Sequence, residues 1–99
     1  TEAKRISALS STKGVKVIPH TWGSGIAFYT AINFISNLEP MPGRLYMEDA
    51  YIEYDRTENK IRENIIKDNI IMKDGYISVN DKPGLGVDVD ETYLNEIKI

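Results

Sequence analysis

The 99-residue sequence has no cysteine. That excludes disulfides and thiolate chemistry, and it suits a cytoplasmic protein. It has no basic block. Net charge is −3 and the isoelectric point is about 5.1, so nucleic acid is a poor partner. No apolar run reaches the roughly 18 residues of a membrane span, and no signal-peptide pattern is present, so no membrane association is expected. There is no internal repeat and no low-complexity segment. Histidine and tryptophan are scarce: His20 and Trp22 are the single copies, and both lie in "VIPHTWGSG". Methionine is missing from the first position, which is Thr1. A processed, trimmed or excised start is therefore expected.

What is present is an ordinary globular composition, 41% hydrophobic and 27% charged. The length fits one small domain. Residues 2–13 read as a helix, with Ala3, Ile6 and Leu9 on an apolar stripe and Gly14 as its stop. Val15 to Ile18 read as a short strand, which Pro19 ends because proline cannot donate to a ladder. Ser24 is placed to cap a helix running to about Asn37. That helix is apolar nearly all round, so burial on several sides is expected. Such burial is odd for a small monomer and natural inside a larger assembly.

Pro40, Pro42 and Gly43 make a turn before a second predicted strand, Arg44-Leu45-Tyr46-Met47, which ends at Glu48 and Asp49. Asp55 and Glu58 have capping-box spacing ahead of a helical stripe, Ile61, Ile65 and Ile66. Ile70 to Val79 reads as a hairpin centred on Asp74-Gly75. "PGLG" at 83–86 is a turn. Val87 to Val89 reads as extended, and a short helix runs from Asp90 to about Ile97. The first half thus alternates helix and strand, the pattern of parallel strands with helical crossovers. Two parallel strands alone are not a stable sheet, so further strands or further chains are needed.

His20 lies just past the carboxyl end of the first strand and Glu48 just past the second. In parallel α/β folds reacting groups gather at these ends. Neighbouring strands are about 5 Å apart, so the two side chains can face one pocket. Histidine titrates near neutrality and can exchange protons, and a carboxyl beside it can donate or accept a hydrogen bond. The same spacing fits a loop histidine and a solvated acid. Trp22 can wall a substrate pocket or pack on its own helix. Gly23-Ser24-Gly25 offers free amides to an anion, but the lysine of a phosphate loop is missing. Asp88, Asp90 and Glu91 lack metal-ligand spacing and read as a solvated face. The carboxylates around Asp55 and Glu63 read as exposed helix surface.

The order of these pieces resembles the carboxyl-terminal part of the mandelate racemase/muconate-lactonising branch of the enolase superfamily. The resemblance lies in residues 1–40, then in "RLYMEDAYIEYD", and most specifically in "KDGYISV" and the later "PGLGVDVDE". It implies an α/β fold, the closing portion of a (β/α) TIM barrel present as a fragment, since a complete barrel needs about 250 residues. Residues 1–49 would hold the last βα units. Residues 50–99 would form a tail with helix, hairpin and turn, packing back toward a capping domain. It further implies abstraction of a proton α to a carboxylate, with Mg²⁺ stabilising the enediolate. In that scheme His20 matches the acid/base histidine of the seventh strand, and Glu48 the eighth-strand glutamate that binds the substrate carboxylate. The histidine's orienting aspartate and the Mg²⁺ carboxylates have no match here.

"PHTWGSG" resembles the acid-sugar dehydratases of this branch, which implies a gluconate or galactonate substrate with Trp22 beside it. Racemases, epimerases and cycloisomerases share the scaffold. The expected partners are the sugar acid, the rest of the barrel with its capping domain, and further copies in a homo-oligomer. A non-catalytic structural piece or a free-standing binding module stands as the alternative, and the isolated chain is expected to be inactive.

Overall fold

The computed structural model describes residues 1–43, 45–46 and 48–98. Helix α1 spans Glu2–Thr12 and α2 spans Gly25–Ile35. A single turn, α3, spans Lys60–Asn64. The hairpin strands β1, Met72–Lys73, and β2, Tyr76–Ile77, precede α4, Glu91–Glu96. No helix among the described residues is long and apolar enough to cross a membrane.

Helix α2 organises the molecule. Ser24 caps it as expected, its hydroxyl accepting from the Ala27 amide at 3.2 Å. Gly25, Phe28, Tyr29, Ala31, Ile32 and Ile35 are buried. One side of α2 meets a cluster of Tyr29, Ile65 and Ile66, with Val89, Tyr93 and Leu94 packed around it. On another side the Phe28 ring lies 5.0 Å from the Tyr54 ring. A third contact runs through Asn33, whose amide donates to the Leu85 carbonyl at 3.2 Å and holds the "PGLG" turn. Two-sided burial of this helix is thus observed.

Elsewhere the chain is open. Its radius of gyration is 15.3 Å, against about 13 Å for a compact domain of 100 residues. The stripe on α1 is exposed, Ile6 at 60% and Leu9 at 67%, and the buried residue of that helix is Ser7. Residues 15–19 are extended but form no strand, because among the described residues a ladder partner is met only at their end. There His20 forms a parallel bridge to Glu53, and the Glu53 amide donates to the Pro19 carbonyl at 3.3 Å. Of the second predicted strand, only Leu45 and Tyr46 are among the described residues, and neither is in a strand. Arg44 and Met47 lie outside the described residues, and Leu45 and Tyr46 are almost fully exposed. The segment that runs beside the first is 51–54, with the alternating exposure of a strand.

The hairpin forms as predicted, with Met72 opposite Ile77 and Lys73 opposite Tyr76. Asp74 and Gly75 both take positive φ, 52° and 83°, as a two-residue hairpin turn of the primed type requires. Val89 makes an antiparallel bridge to Ile66, and Asp90 caps α4 by accepting from the Tyr93 amide at 3.0 Å.

The capping-box reading of Asp55 and Glu58 is corrected. Asn59 caps α3, accepting from the Arg62 amide at 3.0 Å. Asp55 instead folds the chain locally, accepting from the Thr57 amide at 2.9 Å, and binds the Arg62 guanidinium at 2.9 Å. Arg62 is 4% exposed, and it also donates to the Thr57 carbonyl. Asp55 is therefore part of an inward ion pair rather than exposed helix surface. A buried guanidinium without such a partner would be strongly destabilising. Gly25 packs on the same turn: a Cβ there would fall 2.6 Å from the Arg62 carbonyl oxygen.

Two stability measurements check this packing. Gly25→Ala forces α2 away from α3 and should cost about 1–3 kcal/mol in urea unfolding. Gly23→Ala, whose methyl would sit 3.8 Å from the Ala27 Cβ, should change stability by under about 0.5 kcal/mol. Equal losses would refute the close approach. The second concerns acid. The Thr57 amide first, then the Thr57 hydroxyl and Arg62, hold the Asp55 carboxyl down to about 2 from 3.8. The unfolded chain takes up this proton at the higher pH, so the stabilisation is complete above it and is lost as pH falls toward the lower value. The gap in unfolding midpoint between wild type and Asp55→Asn should be constant from neutral pH to about 4, then close toward about 2. A gap unchanged with acid would show that the carboxylate contributes nothing through its charge.

Candidate active site

The segments that end at His20 and Glu53 meet in a parallel bridge, and the candidate site lies where they adjoin. Pro19 stops the first, and His20 comes directly after it. Tyr51-Ile52-Glu53-Tyr54 alternates faces, so Tyr54 turns inward to Phe28 while Glu53 turns outward. The parallel bridge then sets Glu53 beside His20, with Nδ1 and Oε2 2.5 Å apart. With the neutral imidazole protonated at Nδ1, that nitrogen would donate to Glu53 and Nε2 would keep a lone pair, the arrangement of an oriented general base. His20 and Glu53 line a cleft of about 280 Å³ with Thr21, Trp22, Tyr54 and Asp55. Both side chains are well exposed, 71% and 60%, and Trp22 is 72% exposed.

The expected pairing of His20 with Glu48 is corrected. Glu48 binds Lys16 at 2.7 Å, and the Lys16 ammonium lies 4.1 Å from the centre of the Tyr51 ring. Lys16 and Glu48 line a second cleft of about 480 Å³, which shares no described residue with the first. The physical reason is register. The segment beside His20 is 51–54, and Glu48 lies five residues before Glu53, where its carboxylate reaches Lys16 instead. Glu53 was missed because "RLYM" and "YIEY" are both rich in strand-forming residues, and spacing does not say which one pairs. Trp22 lines the cleft beside His20.

The "GSG" stretch serves packing and capping: the Ser24 hydroxyl is used on the Ala27 amide, and Gly25 makes room for α3. Of the acidic residues near the carboxyl end, Asp90 is a cap and Asp88 lies 3.8 Å from the Lys82 ammonium. Among the described residues no three His, Asp or Glu side chains converge to hold a metal ion.

Comparison with known proteins gives this geometry a setting. The chain is 30% identical over 98 residues to D-galactarolactone cycloisomerase of Agrobacterium fabrum, covering 99% of this chain and 26% of that protein. It is 28% identical over 97 residues to arabinonate dehydratase of Saccharolobus solfataricus, covering 98% and 24%. The crystal structure of the 3,6-anhydro-D-galactonate cycloisomerase of Zobellia galactanivorans superposes with a TM-score of 0.76 at 36% identity, covering 95% of this chain and 24% of that one. The chain therefore spans about a quarter of the length of the proteins it matches. The profile of the "Enolase C-terminal domain-like" family matches residues 1–93. With that match over nearly the whole chain, the chain belongs to the enolase C-terminal domain-like family.

Proposed function

We propose that these residues are the carboxyl-terminal part of an enzyme that removes the proton α to the carboxylate of a sugar acid. The observation that carries the reading is the His20–Glu53 pair at the carboxyl end of two parallel segments. Glu53 orients the imidazole, and His20 Nε2 takes the α-proton. The electron pair left at the α-carbon spreads into the carboxylate as an enediolate. In a dehydratase the imidazolium then returns a proton to the departing β-hydroxyl, water leaves, and the resulting enol becomes a 2-keto-3-deoxy acid. Trp22 walls the cleft against the sugar. Gluconate and galactonate are the leading substrates. The arabinonate dehydratase supports the dehydration class by its name.

Two relatives are named as cycloisomerases, and they favour a second reading in which the proton is returned to carbon and the product is an isomer. Both readings share the first proton transfer. Mg²⁺ belongs to the proposal for the whole protein. When bound it would neutralise the carboxylate charge, and its ligands would come from outside the described residues.

The test uses the full-length protein with gluconate, galactonate, arabinonate, galactarolactone and 3,6-anhydrogalactonate. Mass spectrometry separates the classes: a dehydrated product has lost one water, and an isomer has not. In deuterated solvent, His20→Asn should abolish exchange at the α-carbon and lower turnover about 10²–10⁴-fold. Glu53→Gln should lower turnover less, since it keeps a hydrogen-bonding group beside Nδ1. Exchange at the wild-type rate in His20→Asn would refute the role of His20. The 99 residues alone should show no turnover, because His20 and Glu53 stand in open water, where a fixed charge does little for a transition state. Turnover by the isolated chain would overturn that expectation.

A further inference from the structure

Trp22 lines the cleft beside His20 and is 72% exposed. An exposed ring walls a cleft only while the backbone beneath it is held, because a loose group must be ordered when a ligand binds. That backbone is a short loop, 21–23. It starts after His20, which is bridged to Glu53, and ends at Ser24, which caps α2. Gly23 leaves the loop freer than any other residue would. Among the described residues, 21–23 make a single hydrogen bond: the Asn59 side-chain NH₂ donates to the Gly23 carbonyl at 3.3 Å.

Asn59 stands directly before α3, and its side-chain oxygen accepts from the Arg62 amide at 3.0 Å. The two bonds fix which way the amide group faces, since an N–H needs the oxygen and a carbonyl needs the NH₂. The α3 end of this bridge is anchored. Arg62 is 4% exposed, and Ile65 and Ile66, just after the turn, lie in the core with Tyr29. A helix cap uses the oxygen alone, and aspartate or serine would serve it as well. The NH₂ group is therefore surplus to the cap, and it goes to the loop that carries Trp22.

We infer that Asn59 is a positioning residue: its NH₂ group ties the Trp22 loop to the packed turn at α3 and so sets the wall of the substrate cleft. It touches neither substrate nor the reacting atoms, and it does not act through Glu53. The inference rests on Trp22 meeting the sugar, as proposed above. Without the tie the loop gains motion that substrate binding must then remove, so the loss falls on KM rather than on kcat.

The experiment measures kcat and KM in the full-length protein, on whichever of the five acids and lactones named above turns over fastest. The variants are Asn59→Asp, Asn59→Ser and Trp22→Ala, with the two doubles that contain Trp22→Ala. Asn59→Asp keeps the cap and has no proton to donate to the Gly23 carbonyl. It should raise KM about 3–10-fold, the worth of one hydrogen bond, with kcat held within about twofold. In the Trp22→Ala background the same substitution should leave KM almost unchanged, because the wall it positions is gone. A purely structural Asn59 would change KM or kcat by the same factor in both backgrounds, and that result overturns the inference. So does a wild-type KM in Asn59→Asp, or a fall in kcat alone. If Asn59→Asp does not accumulate as folded protein, Asn59→Ser replaces it, since serine caps the helix but is too short to reach the loop. The same pattern is expected of it, and the same outcomes refute the inference. A wild-type KM in Trp22→Ala would refute the cleft reading itself, and the inference with it. A raised KM in Trp22→Ala beside a wild-type KM in Asn59→Asp refutes the inference alone.

Discussion

A helix that is apolar nearly all the way round must be covered on more than one side, and α2 imposes that demand on the whole chain. Tyr29 draws in Ile65, Ile66 and the carboxyl-terminal pieces around Val89, Tyr93 and Leu94. Phe28 draws in Tyr54 and with it the extended segment 51–54. Asn33 ties down the turn at Leu85. Tyr29 and Asn33, four residues apart, share one face of the helix and Phe28 lies on another, so the position of α2 sets the positions of the rest. Where α2 does not reach, the chain stays open: the stripe of α1 and the outer side of residues 15–18 remain in solvent.

The candidate site is a consequence of that packing. With Tyr54 turned inward, the alternation of a strand sends Glu53 to the other face. Its amide bonds the Pro19 carbonyl, and its carboxylate meets His20. The inward ion pair of Asp55 and Arg62 lies directly behind this arrangement. Stability and site geometry are therefore coupled through neighbouring residues. Phe28, Tyr54, Asp55 and Arg62 lie on the inner side of an arrangement whose outer side is the His20–Glu53 pair. The likeness to cycloisomerases and a dehydratase of sugar-derived acids places that pair in a family setting. About three quarters of each relative's length lies outside the match.

Local chemistry was legible where it is decided within a few residues. Ser24 and Asp90 announced their helices because a cap is a bond to an amide three positions on. Asp74-Gly75 announced the hairpin because few residues accept positive φ in succession. His20 was legible as a candidate, being a lone imidazole after a proline-terminated extended run. Glu53 and Arg62 were not, because each owes its importance to a partner far away in sequence. Asp55 looked like a cap by spacing, and a second local signal, Asn59 before Lys60, competed for the same role and won it.

By itself the sequence determined α1, α2 and α4, the hairpin, the superfamily likeness and the place of His20 after a run that proline stops. Those depend on caps, on turn dihedrals and on the apolar surface of α2, all written in adjacent residues. Only the tertiary structure decided that Glu53 rather than Glu48 faces His20, that Glu48 pairs with Lys16, and that Asp55 and Arg62 turn inward. The physical reason is register. Two short runs of strand-forming residues, 44–47 and 51–54, are near equals in propensity. The choice between them rests on whether Tyr54 can bury its ring against Phe28, a contact between residues far apart in the chain.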